Sequence, residues 1–214
     1  MITRHVLSLV AAMAFVAALV VQPSAQVGKG IADLNSMPEA ELGALPNMTP
    51  AITKAFLAAR PFPTIVDANK FLLGQGLSAD QAKAIYEKAF IHLNLNTCTE
   101  EEILLVPRIA TRMRIEFPEY RPWKTFAQFD REIGKYVRAN PGELDRLRQY
   151  VFIPVDLNTA TDEDILTIPG AGQRMVREFK EYRPWKTKEQ FEKEIGKYVG
   201  PKETARLWRY VVIQ

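Results

Sequence analysis

LNTCTEEEILLVPRIATRMRIEFPEYRPWKTFAQFDREIGKYV (residues 95–137) and LNTATDEDILTIPGAGQRMVREFKEYRPWKTKEQFEKEIGKYV (residues 157–199) lie 62 residues apart and are identical at 27 of 43 positions without a gap. After a two-residue length difference the match resumes, with Leu147, Tyr150, Val151 and Ile153 against Leu207, Tyr210, Val211 and Ile213. A looser copy lies upstream. Leu34-Asn35, Leu45-Pro46 and Arg60-Pro61-Phe62-Pro63-Thr64 stand 61 residues before Leu95-Asn96, Val106-Pro107 and Arg121-Pro122-Trp123-Lys124-Thr125. Identity at a fixed period marks tandem units. The chain therefore divides into units 27–92, 93–154 and 155–214 behind a leader, 1–26.

Each unit reads as four short helices. A capping box opens the first, Thr99 with Glu102 or Thr161 with Asp164, where each side chain satisfies an orphan backbone donor. Met113, Phe117 and Tyr120, or Met175, Phe179 and Tyr182, recur at i, i+4, i+7 and line one face of the second. Pro122 or Pro184 stops it. Thr125 with Gln128, or Thr187 with Gln190, caps the third, which presents Phe129, Ile133 and Tyr136, or Phe191, Ile195 and Tyr198. Gly134 or Gly196 suits a left-handed turn at its end. The fourth buries Leu144, Leu147 and Val151, or Leu207 and Val211. No stretch alternates with period two, so the expected fold class is all-α. A lone unit of this size is marginal, and packing of units enlarges the core.

Composition narrows the function classes. The chain has 214 residues, 47% hydrophobic and 25% charged. These ordinary globular values exclude wholesale disorder and a polytopic membrane protein. One Cys excludes an intramolecular disulfide framework. Two His and one Cys argue against an all-protein zinc site. No Ser-His-Asp, Cys-His or paired-carboxylate arrangement recurs, so neither a catalytic site nor a cofactor is expected. Cys98 aligns with Ala160 in a turn before a helix and reads as a small residue, with an intermolecular disulfide as the alternative. His92 reads as an isolated loop residue. The Trp of Arg-Pro-Trp-Lys-Thr reads as core, and Tyr136 and Tyr198 as core or half-buried.

The first 26 residues differ from the rest. Arg4 is their only Asp, Glu, Lys or Arg, and Val6 to Val21 is an apolar run ahead of Gln22-Pro23-Ser24-Ala25-Gln26. That layout is a secretory signal peptide, which predicts an exported, periplasmic or secreted protein. Pro23 fits poorly at the −3 position for cleavage after Ala25, which keeps an uncleaved membrane anchor as the alternative.

The chemistry concentrates in one turn, Ile168-Pro169-Gly170-Ala171-Gly172-Gln173-Arg174. Gly-x-Gly turns tightly without a Cβ clash and leaves amides free at the next helix start, a nest for a phosphate. Arg174 and Arg177 add charge-assisted contacts. Such contacts hold a nucleic-acid backbone without reading bases.

Leu157-Asn158-Thr159-Ala160 followed by Ile168-Pro169-Gly170-Ala171-Gly172 resembles the helix-hairpin-helix module of ComEA-like competence proteins. The resemblance implies an exported or membrane-anchored protein that binds double-stranded DNA without sequence preference. It assigns the contacts to Gly170, Ala171, Gly172, Gln173, Arg174 and Arg177, with Arg108 and Arg112 as a weaker site.

The other turns depart from the pattern. The second unit has Val106-Pro107-Arg108-Ile109-Ala110 and the first Leu45-Pro46-Asn47-Met48-Thr49, both without glycine. Arg108, Arg112 and Arg114 form a basic cluster that also suits ion pairs with Glu116 and Glu119. Met48-Thr49-Pro50 can begin a helix with proline in its first turn. Of the second turns, Gly76-Leu77-Ser78 and Gly200-Pro201-Lys202 keep one glycine, and Arg138-Ala139-Asn140-Pro141-Gly142 is longer by two. The first unit is similar to the extrinsic 12 kDa proteins of photosystem II, which have the same module but bind protein. That likeness implies an unidentified protein as the alternative partner.

Charge agrees with a weak nucleic-acid partner. The formal net charge is +3. Residues 27–92 carry six basic and six acidic groups, 93–154 ten and nine, and 155–214 eleven and ten. Each phosphate neutralised adds about one unit to the salt slope of binding, so affinity falls as salt rises.

Overall fold

Threonine and serine caps set where the helices begin. The computed structural model describes residues 30–214. Capping boxes close at Thr64 with Asp67, Ser78 with Gln81, Thr99 with Glu102 and Thr161 with Asp164. The third-helix caps differ slightly from a box. Thr125 accepts from the Gln128 amide, but the Gln128 carboxamide accepts from the Lys124 amide, one residue earlier, and donates to the Tyr120 carbonyl. Thr187 and Gln190 repeat this. The glutamine thereby ties one helix start to the end of the helix before it.

The chain is mainly helical. Its first third runs β1 (Ala32–Asp33), α1 (Glu39–Gly43), α2 (Pro50–Ala59), α3 (Ile65–Gly74), α4 (Ala79–Tyr86) and β2 (Ala89–Phe90). The middle third runs β3 (Leu93–Asn94), α5 (Glu100–Leu104), α6 (Met113–Glu119), α7 (Phe126–Val137), α8 (Glu143–Arg148) and β4 (Val151–Phe152). The last third runs β5 (Val155–Asp156), α9 (Asp162–Leu166), α10 (Gln173–Glu181), α11 (Lys188–Trp208) and β6 (Val211–Val212). Gly200, at φ 75° and ψ 169°, breaks α11 into two helical pieces.

Among the described residues, six two-residue strands add to the helices expected from the sequence. Each opening strand pairs in parallel with the closing strand of its own third: Ala32 with Ala89, Leu93 with Val151, Val155 with Val211. Two residues are too few to display alternation, so no sequence period announces them. Val151 and Val211 accordingly sit in strands, not on the fourth helix. The left-handed glycines are also not those expected. Gly134 and Gly196 lie inside helices, while Gly142 and Gly200 have positive φ.

The motifs shared by the three thirds act as structural pins. Asn35, Asn96 and Asn158 each use both side-chain atoms on the backbone 27 residues later, at Phe62, Trp123 and Trp185. Trp123 and Trp185 are buried, and each indole N–H donates to a backbone carbonyl, of Phe117 and Phe179, at 2.7 Å. Arg121 and Arg183 reach back to the carbonyls of Leu95 and Cys98, and of Leu157 and Ala160. Tyr136 and Tyr198 are half-buried and pair hydroxyl to hydroxyl with Tyr120 and Tyr182 at 2.8 Å. Cys98 is a buried free thiol whose pKa burial pushes up to about 11, which disfavours thiolate chemistry.

Aromatic contacts join the thirds. Phe90 packs edge-on against Tyr150 at 5.1 Å, and Phe152 packs tilted at 45° against Tyr210 at 4.7 Å. The first and last thirds also touch. The Tyr210 hydroxyl donates to Asp33 at 2.7 Å, and His92 Nδ1 lies 3.3 Å from the same carboxylate oxygen. His92 is therefore a buried junction residue and not a loose loop position. Burial would raise the Asp33 pKa, but the bonds from His92 and Tyr210 outweigh it and hold the carboxyl below its usual value. The leader expected over residues 1–26 lies outside the described residues. Among the described residues no helix is long and apolar enough to cross a membrane.

Candidate nucleic-acid interface

Among the described residues, the first and second hairpin turns of each third, six in all, each contain one residue in the left-handed region. In the first turns these are Asn47 (φ 63°), Arg108 (φ 56°) and Gly170 (φ 75°). In the second turns they are Gly76, Gly142 and Gly200. The first turns of the first two thirds keep positive φ at that position without glycine. Asn tolerates that conformation through local hydrogen bonding, whereas Arg bears a cost of about 1–2 kcal/mol.

The three first turns differ in what becomes of the following helix start. At α2, Thr49 accepts from the Ile52 amide and Pro50 removes a donor, as the sequence suggests. At α6, the chain tightens through Ala110 and Arg112 before the helix begins at Met113, so its amides are used within the turn. At α10, the cap position is Gly172, with extended backbone and no side chain to cap the orphan amides. No acidic residue stands in the first turn of α10. Its positive end is therefore uncompensated by its own side chains.

The arginines divide the same way. Arg108 lies 3.8 Å from Glu87, Arg112 bonds Glu116 at 2.7 Å, and Arg114 pairs with Glu100. Glu119, the other expected partner, takes no part. The Glu116 bond raises the Arg112 pKa, and the Arg112 guanidinium also lies 4.1 Å from the Tyr136 ring centre. Arg174 lies 4.9 Å from the Tyr198 ring centre, and neither Arg174 nor Arg177 enters an ion pair among the described residues. Gly170, Gly172, Gln173, Arg174 and Arg177 are exposed, and Ala171 is half-buried. The six residues thus share one accessible end of α10, while Arg108 and Arg112 sit on another turn with their charges already matched.

Gly170 has a second reason to lack a side chain. A Cβ there would stand 3.0 Å from an Arg206 nitrogen and 3.5 Å from the Ser36 Cβ. A Cβ at Gly172 would meet nothing within 4 Å. Arg206, which the sequence did not single out, is 2% exposed and holds Glu203 through Nε and NH2. Burial alone would lower its pKa; the Glu203 carboxylate outweighs that and raises it. The hairpin is thus packed against the first third on one side and open to solvent on the other. Among the described residues no cluster of His, Cys, Asp and Glu has the makings of a metal site. Comparison with family models, curated proteins and solved structures finds no match.

Proposed function

We propose that this is an exported, ComEA-like protein of three tandem four-helix helix-hairpin-helix units, which holds double-stranded DNA weakly and without sequence preference. The contacts are backbone phosphates at Gly170, Ala171, Gly172, Gln173, Arg174 and Arg177. The observation that carries this reading is the open start of α10: uncapped amides, no acid in the first turn, and two arginines outside any ion pair. Amides and the helix end supply partial positive charge, and the arginines supply full charge beside it. Arg108 and Arg112 contribute less, because Glu87 and Glu116 already neutralise them. The role is binding, with no catalytic step and no cofactor. Residues 1–26 direct export to the periplasm or beyond, or anchor the chain in the membrane.

One substitution separates shape from chemistry. Gly172→Asp places a carboxylate where α10 has an open cap, with room for it. Asp is a favoured cap, so the fold is kept or strengthened by a few tenths of a kcal/mol. The same carboxylate occupies the amides that a phosphate needs. Binding of a short random duplex is measured across a salt series. The expected result is weak binding at low salt, lost as salt rises, and about tenfold weaker in the variant. A protein that ignores duplex at low salt overturns the proposal.

A protein-binding role, akin to that of the photosystem II proteins, is favoured by one observation. Ile115 occupies the middle-third position that Arg177 holds in the last third, and it is 57% exposed. An exposed isoleucine there suits an apolar partner better than a phosphate.

A further inference from the structure

A cleft of about 490 Å³ lies between the first and last thirds, with Ser36, Leu57 and Arg60 on one wall and Gly170, Lys202 and Arg206 on the other. Three cationic side chains from two distant parts of the chain converge on it. Burial lowers the Arg60 pKa, and the nearby Arg206 charge adds to that effect while Asp33 opposes it. An anion between them relieves the repulsion of Arg60 and Arg206.

The comparison with the middle third makes the point sharper. Arg146 stands where Arg206 stands, and both chelate the glutamate three residues earlier. Arg146 NH1 donates to the Pro107 carbonyl at 2.7 Å. Arg206 NH1 is buried with no hydrogen-bond partner. A buried guanidinium nitrogen left unmatched is costly. The one carboxylate lining the cleft, Glu203, has both oxygens engaged by Arg206. Arg60 keeps NH1 on the Met37 carbonyl at 2.7 Å, which fixes its direction.

We infer that this cleft is a binding site for a phosphate group, inorganic or as a monoester, held between Arg60, Lys202 and Arg206. It lies beyond the α10 start and does not use Arg174 or Arg177. Its ligand bridges the first and last thirds. The volume exceeds one phosphate and accommodates a small organic group attached to it.

The test uses the full chain at low salt with inorganic phosphate as the probe, followed by phosphorus NMR or calorimetry. Saturable binding is expected, with a rise in melting temperature on saturation. Lys202 is exposed, so Lys202→Glu keeps the fold; it is expected to weaken phosphate binding at least about tenfold, and Lys202→Arg to restore it. Arg177→Glu is expected to remove only a phosphate contact at the α10 start and to leave the Lys202-dependent component of the titration in place. Absence of saturable binding, or a Lys202→Glu protein that titrates like the parent, overturns the inference. If Arg177→Glu abolishes binding and Lys202→Glu does not, the phosphate sits on the hairpin; the cleft is then wrong while the DNA proposal stands. Thymidine 5′-monophosphate is titrated alongside. Binding tighter than inorganic phosphate assigns the cleft to a nucleotide monoester, and weaker binding assigns it to free phosphate.

Discussion

The hairpin around Gly170 and the hairpin around Arg108 trace the same left-handed turn and offer a ligand opposite prospects. In one, glycine occupies the turn, the next helix begins uncapped, and Arg174 and Arg177 have no acid partners. In the other, arginine itself occupies the strained position, and Arg108, Arg112 and Arg114 each have a glutamate. Backbone shape and anion chemistry are therefore separable properties of this turn. Packing of Val106, Ile168 and their neighbours maintains the shape. The chemistry depends on a few surface residues that packing does not constrain.

The largest test exchanges the two turn residues in the direction the fold resists. Gly170→Arg puts a side chain at φ 75° and drives its Cβ to within 3.0 Å of Arg206. Left-handed strain of about 1–2 kcal/mol and overpacking of about 1–3 kcal/mol both apply. A loss of roughly 2–5 kcal/mol in denaturant unfolding is expected. A loss under about 0.5 kcal/mol means that the Gly170 turn is as permissive as the Arg108 turn, and the contrast disappears.

Next comes the charge beside the open helix end. Arg177→Glu reverses an exposed residue outside any ion pair, with no expected change in stability beyond about 0.5 kcal/mol. Duplex binding at low salt is expected to fall about tenfold, and the salt slope to shrink. Arg112→Glu in the middle third repels Glu116 locally but is expected to alter duplex binding less. Equal effects of the two reversals point to a diffuse basic surface and not to one hairpin.

Much of the scaffold was legible from residues alone, and for physical reasons. Thr99, Thr125 and Thr161 announce helix starts because short polar side chains cap amides within three residues. Phe117, Phe129 and Ile133 announce a face because helical periodicity is local. The misses are of another kind. Asp33, His92 and Tyr210 lie 59 and 118 residues apart along the chain, so nothing local brings them to one buried cluster. Positive φ at Asn47 and Arg108 was hidden because glycine is only the cheapest occupant of that region. Gly134 and Gly196 misled for the converse reason, since helix interiors also accept glycine at modest cost. At the candidate site, the residues of the α10 start were identifiable, but their freedom from acid partners and the Arg206 cleft behind Gly170 required tertiary placement.

Reversing the strain in the middle third gives a smaller effect of opposite sign. Arg108→Gly releases the left-handed cost at φ 56° and forfeits an exposed ion pair with Glu87 at 3.8 Å. Exposed pairs are worth about 0–1 kcal/mol, and glycine's extra unfolded-state entropy takes back part of the gain. A net stabilisation of about 0.5 kcal/mol is expected, read as a rise in the denaturant midpoint at constant slope. A decrease would mean that the Arg108 side chain contributes packing that its exposure does not suggest.

The smallest effect asks whether the middle hairpin's silence is only a matter of its glutamates. Glu116→Gln keeps the side chain's shape and removes the charge that holds Arg112 at 2.7 Å. The buried position still offers an acceptor to Arg112, so stability changes little, while the guanidinium gains one unneutralised charge facing solvent. If charge matching alone separates the two hairpins, duplex affinity rises by about twofold to threefold at low salt, and the rise vanishes at high salt. If affinity does not change, Arg112 is held by its stacking on Tyr136 at 4.1 Å, which the substitution leaves intact. In that case the open amides at the α10 start, which at α6 bond within the turn, are what distinguish the last third.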